Sequence, residues 1–103
     1  MKITTKQGFI KYRRVGKDKH NLFELERIEV YPDYIKTGYG RKLFRRMEKK
    51  IGTYRKLFCT THASNHIAHK FYIAMGMKPE AIIPNHYYQG EAEIVYAKYK
   101  RGA

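Results

Sequence analysis

Two runs rich in aromatic and β-branched residues, Gly8 to Val15 and Leu22 to Val30, flank Gly16-Lys17-Asp18-Lys19-His20-Asn21, which has turn chemistry. They predict an antiparallel hairpin. The period then changes: from Gly38 or Tyr39 to about Tyr54, the apolar Tyr39, Leu43, Phe44, Met47 and Ile51 fall on one helical face, with Gly52 as the stop. Basic residues cover the other face. Lys56 to Thr61 predicts a short strand, Ser64 caps a second helix ended by Gly76, and Ala81 to Ile83 with Glu91 to Tyr99 predict two strands around a Pro84 to Gly90 loop. Strands and helices alternate, with hairpins at both ends. The expected class is α/β (α+β), a mixed and mostly antiparallel sheet flanked by two main helices.

Composition narrows the function. At 103 residues the chain is expected to form a single domain spanning 1–103. Its 22 Lys and Arg against 9 Asp and Glu leave +13, which implies attraction to a polyanion: cofactor phosphates, nucleic acid or an anionic membrane. The single cysteine, Cys59, lies in the apolar run Leu57-Phe58-Cys59 and reads as a small buried hydrophobe in a reducing compartment. No apolar run approaches the roughly 18 residues of a membrane helix, and the N-terminus has no signal-peptide pattern. The expectation is a cytoplasmic protein with no membrane association.

The stretch from Val30 to Leu43 is an apolar strand that breaks at Pro32 and becomes a glycine-containing loop, Ile35-Lys36-Thr37-Gly38-Tyr39-Gly40, opening a basic helix with Arg41 and Lys42. Gly38 and Gly40 permit backbone angles that turn successive N–H groups toward an anion, and the helix start adds its positive dipole end. That is a pyrophosphate-binding arrangement. A second motif, Ala63-Ser64-Asn65-His66-Ile67-Ala68-His69-Lys70-Phe71-Tyr72-Ile73-Ala74-Met75-Gly76-Met77, follows an apolar strand. Together the two resemble the GNAT superfamily of acetyl-CoA-dependent N-acetyltransferases. The first is similar to its V-x-P followed by Q/R-x-x-G-x-G/A, and the second to its A/S-N-x-x-A-x-x-x-Y-x-x-x-G-F. The resemblance runs from about Leu22 to Tyr99, with one departure: Ile35 stands where the family usually has Gln or Arg.

The resemblance implies acetyl-CoA as cofactor, held by the loop from Ile35 to Lys42, with the backbone of Ile28, Glu29 and Val30 pairing with the pantetheine arm and Asn65 contacting or shaping that site. It implies direct attack of an amine in a ternary complex. Tyr72 occupies the position of the tyrosine that hydrogen-bonds the sulfur, and a phenol near pKa 10 is close to a thiol in acidity. Glu24 matches a strand glutamate that serves as base in the histone-acetylating branch. Glu26, two residues on, faces the same side if the strand is regular. The other branch has its glutamate where this chain has Thr60, which leaves Glu24, Glu26 or His62, acting through water, as the base. Little precedes the first hairpin, so the family's first strand and following two helices are expected to be absent or reduced to Met1 to Thr5. An open cleft or a partner subunit then replaces them, and the exposed sheet edges suit a homodimer.

His62, His66 and His69 invite a metal reading, with His66 and His69 on one helical face, but no cysteine or carboxylate lies close in sequence to complete a usual site, and no metal is expected. In the first helix Arg41/Arg45, Lys42/Arg46, Arg45/Lys49 and Arg46/Lys50 are like-charge pairs, each costing about 0.2–0.5 kcal/mol. Two readings fit that helix: a solvated face, or one whose Arg45, Arg46, Lys49 and Lys50 meet a polyanion such as nucleic acid or a ribosome. The segment Pro84 to Glu93 resembles the tyrosine loop of ribosomal-protein and protein N-terminal acetyltransferases, which implies that Tyr87 and Tyr88 bind an incoming peptide. The acceptor is then a protein or peptide amine. A small amine or polyamine is the alternative, and a basic nucleic-acid-binding protein that keeps the fold without turnover is a third reading.

Overall fold

The computed structural model describes residues 1–100. Six strands, β1 (Lys2–Thr4), β2 (Gly8–Val15), β3 (Leu22–Val30), β4 (Tyr54–His62), β5 (Lys78–Ile83) and β6 (Glu93–Lys100), form one sheet in the order β1-β2-β3-β4-β6-β5. Helix α1 (Tyr39–Ile51) connects β3 to β4, and α2 (His66–Ala74) connects β4 to β5. All neighbouring strands are antiparallel except β3 and β4, which run parallel. The expected mixed, mostly antiparallel sheet with two helices is therefore what forms. No helix among the described residues is long and apolar enough to cross a membrane.

One core holds sheet and helices together. Leu43, Phe44 and Met47, at the helical spacing of α1, are fully buried with Ile10, Tyr12, Phe23, Leu25 and Leu57 of the strands. From α2, Tyr72 enters the same core, and Phe71 packs edge-on against Phe44 with ring centroids 6.2 Å apart. Cys59 is buried as expected, and burial pushes its thiol up to about 12.

Several boundaries differ from the sequence pattern, each for a visible reason. Helix α1 ends at Ile51 and not near Tyr54, because Gly52 turns the chain with φ +81° and returns its N–H to Glu48 at 2.9 Å. Tyr54 instead starts β4, fully buried. The second helix is capped by Asn65 rather than Ser64: the turn closes from Asn65 N–H to His62 at 2.9 Å, and the Asn65 Oδ1 accepts from Ala68 N–H at 3.1 Å. Strand β5 starts at Lys78, before Ala81, since Pro79 is tolerated on an edge strand. Strand β6 starts at Glu93, because Glu91 N–H closes a turn onto Tyr88.

Strand β3 is not regular. Lys11 pairs with Arg27 and Tyr12 with Leu25, so Glu26 is the extra residue of a β-bulge. The bulge lets Phe23 and Leu25 before it, and Ile28 and Val30 after it, all pack on the core. Glu24 and Glu26 consequently do not share the surroundings that strict alternation predicts.

Candidate active site

The parallel pair is short: only Leu22, Phe23 and Glu24 of β3 pair with Lys56, Leu57 and Phe58 of β4. Beyond it the strands diverge, and among the described residues the β3 edge from Leu25 to Val30 has no strand on that side. A groove of about 520 Å³ opens in the gap. Ile28 and Val30 wall one side, the segment from Tyr34 to Gly40 covers the end next to α1, and Asn65, Ala68, Phe71 and Tyr72 of the α2 region wall the other. Of the residues expected to hold a cofactor, the structure brings Ile28, Val30, Ile35, Lys36, Gly38, Tyr39, Gly40 and Asn65 together here; Glu29, Thr37, Arg41 and Lys42 lie outside the lining.

The loop geometry follows from its residues. Lys36 (φ +66°) and Gly38 (φ +79°) both take the left-handed conformation. The first helical bond of α1 runs from Lys42 N–H to Gly38 at 3.3 Å, so the amides of Tyr39, Gly40 and Arg41 are the unpaired donors of the helix start. A Cβ on Gly40 would sit 3.2 Å from the Phe71 ring, and the bare backbone lets α1 and α2 approach at the groove. Ile35 and Ile67 stand exposed at 57% and 85% beside these donors. Orphan amides, an unpaired strand edge and apolar walls form a donor set suited to a long ligand with phosphates at one end and a lipophilic, amide-bearing arm.

A second groove of about 610 Å³ shares Ile28, Asn65, Ala68 and Tyr72 with the first. Tyr72 is therefore common to both sides of the gap. Its side chain is buried beside Cys59 and Thr61; burial, then the thiol, push its phenol well above its ordinary value of 10. The acidity match read from the sequence does not survive this burial. The phenol therefore stays protonated at neutral pH.

The other predicted residues divide. Glu26 lines the second groove, with Arg27, Thr60, His62 and Tyr87. Glu24 lines neither and accepts from the Arg13 guanidinium at 2.8 Å. Tyr88 does not line the groove, but its ring lies 6.5 Å from that of His62. Asn65 uses its oxygen to cap α2, which leaves its amide for the gap. His69 is occupied: Nε2 lies 2.9 Å from the Ala63 carbonyl, which only accepts, so Nε2 carries the proton and Nδ1 accepts from Tyr96 Oη at 2.6 Å. Among the described residues no group of three or more His, Cys, Asp or Glu side chains is arranged to hold a metal. Sequence reasoning missed Tyr34, Ile67, Ala68 and Phe71 on one side and the buried Glu93 on the other. Ile67, an isoleucine left in water, and the acidic start of β6 were the available signals.

Residues 5–77 match the acetyltransferase (GNAT) family. The fold is similar to that of the ribosomal-protein-S18-alanine N-acetyltransferase from Escherichia coli, with 25% identity over 97% of this chain and 67% of that one and a TM-score of 0.80. It is also similar to Arabidopsis thaliana Naa50 in complex with the bisubstrate analogue CoA-Ac-MVNAL (21% identity, 89% and 64% covered, TM-score 0.78). A Bacillus anthracis structure described as a streptothricin acetyltransferase in complex with acetyl coenzyme A is similar as well (23%, 92% and 56%, TM-score 0.79). The chain spans between 56 and 67% of the length of these structures. No curated protein sequence matches it. With 73 of its 103 residues matched to the family and the same fold in the solved structures, this chain belongs to the GNAT acetyltransferase family.

Proposed function

We propose that the protein is an N-acetyltransferase that binds acetyl-CoA in the groove between β3 and α2 and transfers the acetyl group to a primary amine of a protein or peptide. The observation that carries this reading is Tyr72, shared by the cofactor-side groove and the one beneath the tyrosine loop. Acetyl-CoA supplies an activated thioester. The orphan amides of Tyr39, Gly40 and Arg41 suit its phosphates, the free edge at Ile28 and Val30 suits its arm, and Tyr72 donates a hydrogen bond where the sulfur is released. A likeness to an alanine N-acetyltransferase and to a complex with a peptide-bearing analogue supports a peptide acceptor. Tyr87 beside the groove supports it further. The buried Cys59 suits a reducing cytoplasm, and the sheet's edges at β1 and β5 suit a homodimer, which sedimentation would test.

Titration calorimetry with acetyl-CoA at moderate salt, with ATP as a phosphate-matched control, tests the cofactor. Thiol release on adding peptide amines then tests transfer. Binding specific to acetyl-CoA, followed by amine-dependent release, is expected. Weak binding shared with ATP would reject the reading in favour of a basic nucleic-acid-binding protein, the second reading, which is supported by a groove between β1 and α1 lined by Lys2, Arg46, Lys49 and Lys50.

A further inference from the structure

In a chain with 22 Lys and Arg, the carboxylate buried beneath the acceptor-side groove is paired with neither. Glu93, 4% exposed, opens β6 directly across from His62, the last residue of β4, and its Oε2 lies against His62 Nδ1. These two atoms lack hydrogen-bond geometry and are the buried side-chain polar atoms left without a partner among the described residues. The Glu91 carboxylate is 3.2 Å from the same nitrogen. A buried carboxylate is costly without a cation or donor. Here the group supplied is one that can give up its charge.

His62 differs from His69 in what its ring leaves free. With Nδ1 facing two carboxylates, the proton of the neutral ring is held on Nδ1 and the lone pair on Nε2, which has no partner among the described residues. The imidazole is half exposed, bordered by the rings of Tyr87 at 6.2 Å and Tyr88 at 6.5 Å. It lines the groove with Tyr72, and Glu26 and Arg27 of β3 are the charged groups lining it from the facing strand. Three carboxylates, Glu26, Glu91 and Glu93, thus surround the approach in a protein of net charge +13. The local field favours an ammonium where the whole molecule repels one.

We infer that His62 is the general base that deprotonates the incoming ammonium, with Glu93 as the residue that positions it; the inference rests on the acetyl-transfer reading. One proton passes from the ammonium to Nε2. The freed lone pair forms the C–N bond as the thioester C–S bond breaks, the nitrogen's second surplus proton reaches the thiolate through solvent while Tyr72 donates a hydrogen bond to the sulfur, and His62 returns its proton to solvent. The net reaction releases one proton per amide formed.

The pairing can be read without turnover. In ¹⁵N-histidine NMR of the full chain, His62 is expected as the Nδ1–H tautomer when neutral, and Glu93→Gln should lower the share of that tautomer. An Nε2–H tautomer in wild type, or a tautomer share unmoved in Glu93→Gln, overturns the pairing. The catalytic step is read from the pH dependence of kcat/KM with a peptide amine. Wild type should show an acidic limb, because an imidazole already protonated on Nε2 cannot accept the ammonium proton. His62→Gln should remove that limb and lower kcat/KM at least fiftyfold at pH 7 with acetyl-CoA affinity unchanged, and Glu93→Gln should lower kcat/KM by a smaller factor while keeping the limb. A limb that persists in folded His62→Gln overturns the base assignment. Absence of transfer by wild type to any amine overturns it through the function reading, while the NMR result still decides the pairing.

Discussion

Lys98 Nζ donates to Glu48 Oε2 at 3.0 Å and to the Met75 carbonyl at 2.9 Å, so one side chain of β6 ties the C-terminal ends of both helices to the sheet. Tyr54 Oη donates to the same carboxylate at 2.9 Å and Arg45 to its other oxygen at 2.7 Å. Burial alone would raise the Glu48 carboxyl, but the bonds from Lys98, Arg45 and Tyr54 outweigh it and hold the group below its usual range. A carboxylate held low in the folded state contributes stability that is complete above about pH 4.5 and lost as pH falls through the folded value. Thermal melts should therefore fall off below pH 4.5 in wild type and less steeply in Glu48→Gln. At pH 7 the variant should lose roughly 3 kcal/mol, since it leaves Lys98 without its partner. Equal acid sensitivity in both proteins would contradict this role.

Gly38 precedes the helix start with φ +79°, and nothing lies within 4 Å of a Cβ built there. Space is available, so an L side chain costs only the left-handed strain, about 1–2 kcal/mol. Gly38→Ala isolates that strain; Gly38→Glu adds a negative charge among the amides proposed to meet the phosphates. Calorimetry should show Gly38→Glu binding acetyl-CoA at least tenfold more weakly than Gly38→Ala. Similar affinities would move the phosphates elsewhere.

The hairpin was fully legible, since Gly8–Val15 and Leu22–Val30 form strands with the bounds their composition predicts. So was the turn into α1, because glycine spacing and a helix start are local features. Long-range pairing was not. Glu48 reads as a lone acid on a basic face, and only Tyr54 and Lys98, distant in sequence, make it a buried hub. The bulge had left a trace, two polar residues, Glu26 and Arg27, between the apolar Leu25 and Ile28, but the regular-strand rule hid it. Glu93 was passed over because its burial depends on β4 and β6 meeting across the sheet.

Tyr72 sits where the two grooves meet, and its phenol is held protonated. Tyr72→Phe keeps the ring that packs against Phe71 and Tyr96 and removes only the donor. Turnover with a peptide amine should fall by about 10²-fold or more while acetyl-CoA still binds. Unchanged turnover would remove Tyr72 from the chemistry and leave it a core residue.

Of the basic residues on α1, Arg45 is engaged by Glu48, whereas Arg46, Lys49 and Lys50 face Lys2 and Thr4 of β1 across a groove of about 690 Å³ that no acid lines among the described residues. Four cations on facing elements suit a phosphate backbone passing between them. If they bind RNA, the logarithm of affinity should fall with the logarithm of salt with a slope of about −0.7 for each phosphate neutralised, or roughly −3 for all four. Lys49→Ala with Lys50→Ala should reduce that slope by about 1.4 and leave acetyl-CoA binding intact, because neither residue lines the groove proposed for acetyl-CoA. A slope near −3 that is unmoved by the double variant would assign RNA binding to another face. No measurable RNA binding at low salt would leave α1 with a solvated face, its repulsion offset by the core beneath it.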